Sequence, residues 1–203
     1  MKKFFHKVAI VLVAMTASLS FTSCDSDTLT TILGTVIQYI LDPGTSYDYK
    51  GTLKSGPLKA TGDGFNWINS NETSTFSNVT VRYTAGTNSS ATLEIPGFTD
   101  GKMAVGDITI KGLAITENSS AKKTTFGIGD NSTIVASVTV DGVKYDENSI
   151  SSVYISSLDD KVYTSTFVTS ENLSTFISIV FANSEGENVY ALNIDYSGSI
   201  IAQ

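Results

Sequence analysis

Two residues in this sequence are the usual carriers of nucleophilic and metal chemistry, His6 and Cys24, and each type occurs once. His6 lies in a stretch that reads as a cleaved leader, so the mature chain has no imidazole. Cys24 stands at the cleavage point, where lipidation would consume its thiol. Ser-His-Asp and Cys-His catalysis fall away together, and Cys/His zinc sites with them. Carboxylates remain, and paired carboxylates can hydrolyse glycosides. The local pairs are Asp146/Glu147, Asp159/Asp160 and Glu185/Glu187, each in an expected turn where acids are solvated. Glu94, Asp107 and Asp195 alternate with apolar neighbours, as outward residues of strands do. No Asp-x-Asp-x-Asp-Gly calcium loop occurs, and Asp63 and Asp100, each followed by glycine, read as turn formers. The expectation is a protein that is not an enzyme, with no metal and no cofactor.

The elements that must position any other chemistry begin with the leader. Lys2, Lys3 and Lys7 precede an apolar run, Val8 to Met15, too short for the roughly 20 residues a membrane span needs. Leu19-Ser20-Phe21-Thr22-Ser23-Cys24 then resembles a lipobox, the motif at which an exported chain is cut and its new N-terminal cysteine lipidated. A lone cysteine in an exported protein cannot form an internal disulfide, and lipidation accounts for it. Residues 1–23 are therefore expected to be a lipoprotein signal peptide, with Cys24 as the membrane anchor. Asp25-Ser26-Asp27 resembles the surface-export signal of Bacteroidetes lipoproteins, which implies the outer membrane and its outer face. A simple solvated tether on the periplasmic face is the alternative. Asp27-Thr28-Leu29 fits the O-glycosylation sequon of the same phylum, with Thr28 as acceptor.

Without residues 1–23 the chain keeps ten basic against twenty acidic side chains, a net charge of −10. Nucleic acid and anionic lipid surfaces both demand basic protein, so neither is an expected partner beyond the anchor itself.

Residues 24–46 form the lipidated tether and one amphipathic helix. From Thr28 to Leu41 the apolar residues Leu29, Ile32, Leu33, Val36, Ile37, Ile40 and Leu41 recur at helical spacing. Asp27 can cap its start, and Asp42-Pro43-Gly44 ends it. With no Lys or Arg it lacks the polar face of a membrane-surface helix, and packing on the β domain is expected instead. Residues 47–203 alternate in short segments separated by turns. Val79, Val81 and Tyr83 share a face, as do Ala91, Leu93 and Ile95. Near Gly112 the apolar phase slips, which predicts a bulge. Asp141-Gly142 between alternating residues predicts a two-residue type I′ hairpin. A meander over 162–169, 173–182 and 189–196 closes the chain. The expected fold is all-β, an antiparallel barrel of about 8–10 strands, with a two-sheet sandwich as the alternative.

Several of these segments resemble the calycin-like β-barrel lipoproteins of gut Bacteroidetes. They are Tyr49-Lys50-Gly51-Thr52-Leu53, Leu93-Glu94-Ile95-Pro96-Gly97-Phe98, and Val105-Gly106-Asp107-Ile108-Thr109-Ile110 with Gly112-Leu113. The resemblance implies a lipocalin-like barrel and binding of a small ligand; its motifs are strand and turn residues, and no site residue is carried over from it. Trp67, the single Trp, sits in Gly64-Phe65-Asn66-Trp67-Ile68 and either stacks on a ligand or packs in the core. The expected function is non-catalytic binding of a small apolar ligand or a glycan, or alternatively a structural or adhesion role through protein contacts. Replacing the anchor tests the first step. Cys24→Ala is expected to move the protein from the membrane fraction to the soluble one, and a variant that still sediments with membranes refutes the anchor.

Overall fold

A period of two puts every second side chain on one face, and β-branched and aromatic residues suit that pleated surface. The computed structural model describes residues 41–61, 64–66, 73–87, 89–99, 103–118, 123–155 and 166–201. The expected helix over 28–41, but for Leu41, lies outside them, as do Cys24, Thr28 and Trp67. All described residues belong to one unit, Tyr39–Gln203.

The chain opens with β1 (Ser46–Thr61), β2 (Gly64–Asn66), β3 (Ser74–Ala85) and β4 (Ser90–Ile95). Then come β5 (Phe98–Thr99), β6 (Met103–Val105) and β7 (Ile108–Asn118). β8 (Lys123–Gly127) and β9 (Thr133–Val135) precede the hairpin of β10 (Val138–Val140) and β11 (Val143–Tyr145). A 3-10 turn, Glu147–Ser149, capped by the Asp146 carboxylate, leads into β12 (Ile150–Ile155). The last strands are β13 (Phe167–Val168), β14 (Asn172–Ala182) and β15 (Asn188–Ile200).

These strands form an antiparallel ring. The ladders run β1–β3, β3–β4, β4–β7, β7–β8, β8–β13, β13–β14 and β14–β15, and β15 returns to β1. The longest ladders join β15 to β1 and to β14, so closure rests on the last strand of the chain. β9 pairs with the same edge of β7 as β8 does, and β12 with the same edge of β14 as β13 does. Each of these pairs therefore makes one interrupted stave. The fold is all-β and antiparallel, as the alternation demands.

A second sheet, β11-β10-β6-β5, lies across one end of the ring. Its Phe98 ring meets Phe76 of β3 at 4.8 Å. Its Tyr145 ring meets Tyr190 of β15 at 5.4 Å and Phe181 of β14 at 6.4 Å. Met103, Val105 and Val138 of this sheet join the same core cluster as the ring. The hairpin at Asp141-Gly142 has positive φ at both positions, 52° and 80°, as a type I′ turn requires.

Four register shifts interrupt the ladders among the described residues, and two of them hold a residue at positive φ. Gly112, at φ 71°, is the extra residue where Ala91 faces Leu113 and Thr92 faces Lys111. This slip returns Leu113 to the inward face already held by Ile108 and Ile110. Asn78, at φ 62°, is the extra residue between Gly51↔Val79 and Thr52↔Ser77. Beside it Gly51 faces Gly198 across β1 and β15, and the Tyr196 side chain occupies the space where a Gly198 Cβ would sit. The Tyr196 hydroxyl donates to the Tyr49 carbonyl at 2.6 Å, and the Val79 carbonyl lies 3.3 Å away. Thus one phenol reaches carbonyls of both β1 and β3 beside the bulge.

Not every buried polar atom is so placed. The Ser55 and Thr175 hydroxyls are buried without a hydrogen-bond partner. Denaturant unfolding separates the two situations. Tyr196→Phe is expected to cost about 1–2 kcal/mol, and Thr175→Val to be neutral or stabilising by up to about 1 kcal/mol. Gly198→Ala, which drives a methyl into the phenol, is expected to cost more than about 2 kcal/mol. A Tyr196→Phe variant as stable as the parent refutes the role given to its hydroxyl.

Candidate functional site

In a ligand-carrying barrel the interior is the first place to look for a site. Here the inward positions carry large side chains. Tyr49, Leu53, Val81, Leu93, Ile108 and Ile110 are each 0 % exposed. A void that admitted even a water-sized sphere would leave accessible surface on the side chains that line it. Tyr83, Phe126, Phe181 and Tyr196 are among the largest fully buried side chains, and the Tyr83 and Phe126 rings meet at 5.7 Å.

Both ends are covered. The second sheet lies over one. At the other, the Tyr49 hydroxyl donates to the Thr169 carbonyl at 2.7 Å, and Leu41 packs on the core. Gly44 N–H donates to the Ala85 carbonyl at 2.6 Å, and Asp42 N–H donates to the Tyr47 hydroxyl at 2.9 Å. The tyrosines divide by position. Tyr49, Tyr83 and Tyr196 are core, Tyr145 and Tyr190 pack beneath the second sheet, and Tyr154 is exposed.

Among the described residues no group of three or more His, Cys, Asp or Glu is placed to hold a metal ion. Asp107 lies just before β7 rather than within it, and its carboxylate accepts from the Gly97 N–H at 2.7 Å. Glu187 accepts from the Asn183 side chain within the β14–β15 turn. Asp48 pairs with Arg82 through two contacts, 2.7 and 3.0 Å, and this hydrogen bond holds the carboxyl below its ordinary range. Asp63, Asp100, Asp159 and Asp160 lie outside the described residues.

On the outer wall, the bend at Asn78 shapes an open groove of about 510 Å³. Lys50, Thr52, Ser77, Asn78 and Ser199 line it with hydroxyl, amide and ammonium groups, and Ile200 and Ile201 form its apolar part. Its lining contains no carboxylate, in a chain whose overall charge is strongly acidic. This groove has no local signal, because its residues come from β1, β3 and the end of β15 and are brought together by the β1–β3 and β1–β15 pairings.

Comparison with protein-family models, with curated proteins and with solved structures found no match. Among the described residues no helix is long and apolar enough to cross a membrane.

The filled interior has a titration signature. Burial pushes the Tyr196 phenol up to about 12, and burial likewise raises Tyr49 and Tyr83 further. In the unfolded chain these groups ionise near an ordinary value of about 10. The unfolded state thus releases protons that the folded state still holds, and stability must fall with rising pH. Stability is expected to be unaffected by these groups below about pH 10 and to drop steeply as pH rises through about 12. Ultraviolet difference titration of tyrosinate checks it; ionisation of all tyrosines near pH 10 in the folded protein refutes the sealed core.

Proposed function

We propose that this protein is a non-catalytic accessory protein of the bacterial cell envelope, held by a lipid on Cys24 and acting through contacts on its outer surface. Surface exposure on the outer membrane follows from the acidic stretch after the anchor, Asp25-Ser26-Asp27. The filled and covered barrel is the observation that supports an exterior mode of action. An apolar ligand would have to displace side chains such as Tyr83 and Phe126, each worth about 1.5–3 kcal/mol when buried. A structural or adhesion role through protein contacts fits this best.

Glycan binding is the second reading, and the groove around Asn78 favours it. Its hydroxyl and amide groups match sugar hydroxyls, and Lys50 matches an acidic sugar.

Cross-linking on intact cells separates the readings. A short amine-reactive cross-linker is expected to give discrete protein adducts of the lipoprotein, unchanged by Lys50→Glu. Absence of any adduct, together with retention on immobilised acidic polysaccharide that Lys50→Glu abolishes, replaces protein contact with glycan binding. Saturable one-to-one uptake of an apolar fluorophore by the barrel refutes both exterior readings.

A further inference from the structure

The groove on the outer wall holds a charge that nothing in its lining neutralises. Among the described residues Lys50 has no ion pair, and the side chains of Thr52, Ser77 and Asn78 have no hydrogen-bond partner. The Ser199 hydroxyl donates to the Asn172 side-chain oxygen at 3.0 Å and keeps its lone pairs for an incoming donor.

Register places acids around the groove rather than in it. Two residues before Lys50 on the outer face of β1 is Asp48, which Arg82 already holds. Beyond Thr52 on the same face, Lys54 stands opposite Asp195 of β15. At the end of β15 the Ile200 N–H donates to the Glu171 carbonyl at 2.7 Å, and the Ile201 N–H donates to the Asp48 carbonyl at 2.8 Å. Asp48, Glu171 and Asp195 thus neighbour the groove, and Lys50 is the one charged residue among the described lining residues.

The strand pairing narrows the kind of partner. β1 is paired on both sides here, to β3 and to β15, so its backbone groups are engaged and an extended peptide finds no ladder to join on it. Hydroxyl and amide side chains, which both donate and accept, suit the hydroxyls of a sugar. Ile201, 39 % exposed, offers an apolar contact to the face of a sugar ring. The volume, about 510 Å³, falls inside the roughly 300–1,000 Å³ usual for small-molecule sites.

We propose that this groove binds a glycan with one anionic group per sugar unit, Lys50 meeting the anion while the Asn78 amide and the Thr52 and Ser77 hydroxyls meet ring hydroxyls. This rests on the glycan reading above and names the sugar class and the residues that select it. A densely sulfated chain is disfavoured, because one ammonium cannot match several charges and the surplus meets Glu171 and Asp195.

The probes are trigalacturonate, its fully methyl-esterified form and a densely sulfated trisaccharide. Each is titrated calorimetrically into the mature lipoprotein in a neutral, sugar-free detergent. Trigalacturonate is expected to bind saturably and about two- to fivefold more tightly than its ester at low ionic strength, the scale of an exposed ion pair. The difference should vanish near about 1 M salt. Lys50→Gln should abolish it and leave the affinity for the ester unchanged. Asn78 sits at φ 62°, a conformation that glycine adopts freely, so Asn78→Gly deletes the amide and keeps the bulge. That variant should weaken acid and ester alike. Both positions are exposed, and circular dichroism checks the fold. Equal binding of acid and ester by the parent, or a difference that survives Lys50→Gln, overturns the proposal. So does tighter binding of the sulfated trisaccharide, or of a short oligoglutamate, which assigns the groove to an acidic peptide. If the ester binds as well as the acid and Asn78→Gly weakens both, the anionic class falls and the glycan reading stands. If neither sugar binds, both fall.

Discussion

Closing a sheet into a ring removes its main edges and at the same time encloses a fixed volume that the inward side chains must fill. Most of this structure answers that constraint. The ring closes only when β15 pairs with both β14 and β1, so the last strand of the chain completes the wall. Such pairing between chain ends is non-local, and its closure cost is met by the packing that closure permits. The inward residues of every stave join one core cluster, and that cluster extends into the small sheet over one end.

Filling a bent wall also requires local departures from regular pleating. At Gly51 and Gly198 two strands face each other without side chains, and the Tyr196 ring takes the vacated space. Its hydroxyl reaches the Tyr49 and Val79 carbonyls beside the Asn78 bulge. At Gly112 the extra residue restores an inward phase that would otherwise turn Leu113 and Ile115 to solvent. The unpartnered hydroxyls of Ser55 and Thr175 mark where the same core tolerates a polar atom that it does not use.

A solid interior moves attention to the outside. The wall is not uniform there. Most of its outward positions carry Ser, Thr, Asn and charged residues, while the exposed apolar side chains gather mainly on strands paired on one side. The one ion pair among the described residues, Asp48 with Arg82, is exposed and contributes little to stability, so its place is on the solvated wall.

The sequence by itself determined the class of the fold, because alternation with period two and turn chemistry are local. The Asp141-Gly142 hairpin was legible from two residues, and the Gly112 bulge from the slip between Ile110 and Leu113. It also bounded the available chemistry, since the single His and the single Cys can be read directly. The expected binding residue Trp67, the expected anchor Cys24 and the expected glycosylation residue Thr28 lie outside the described residues, so the described surfaces are built from others. Those surfaces were decided only by tertiary structure. Whether Tyr49, Tyr83 and Tyr196 line a cavity or fill it depends on what faces them across the ring, and alternation says only that they point inward. The groove unites residues 50–52, 77–78 and 199–201. It has no local signal, because register and closure bring residues from distant strands to one place.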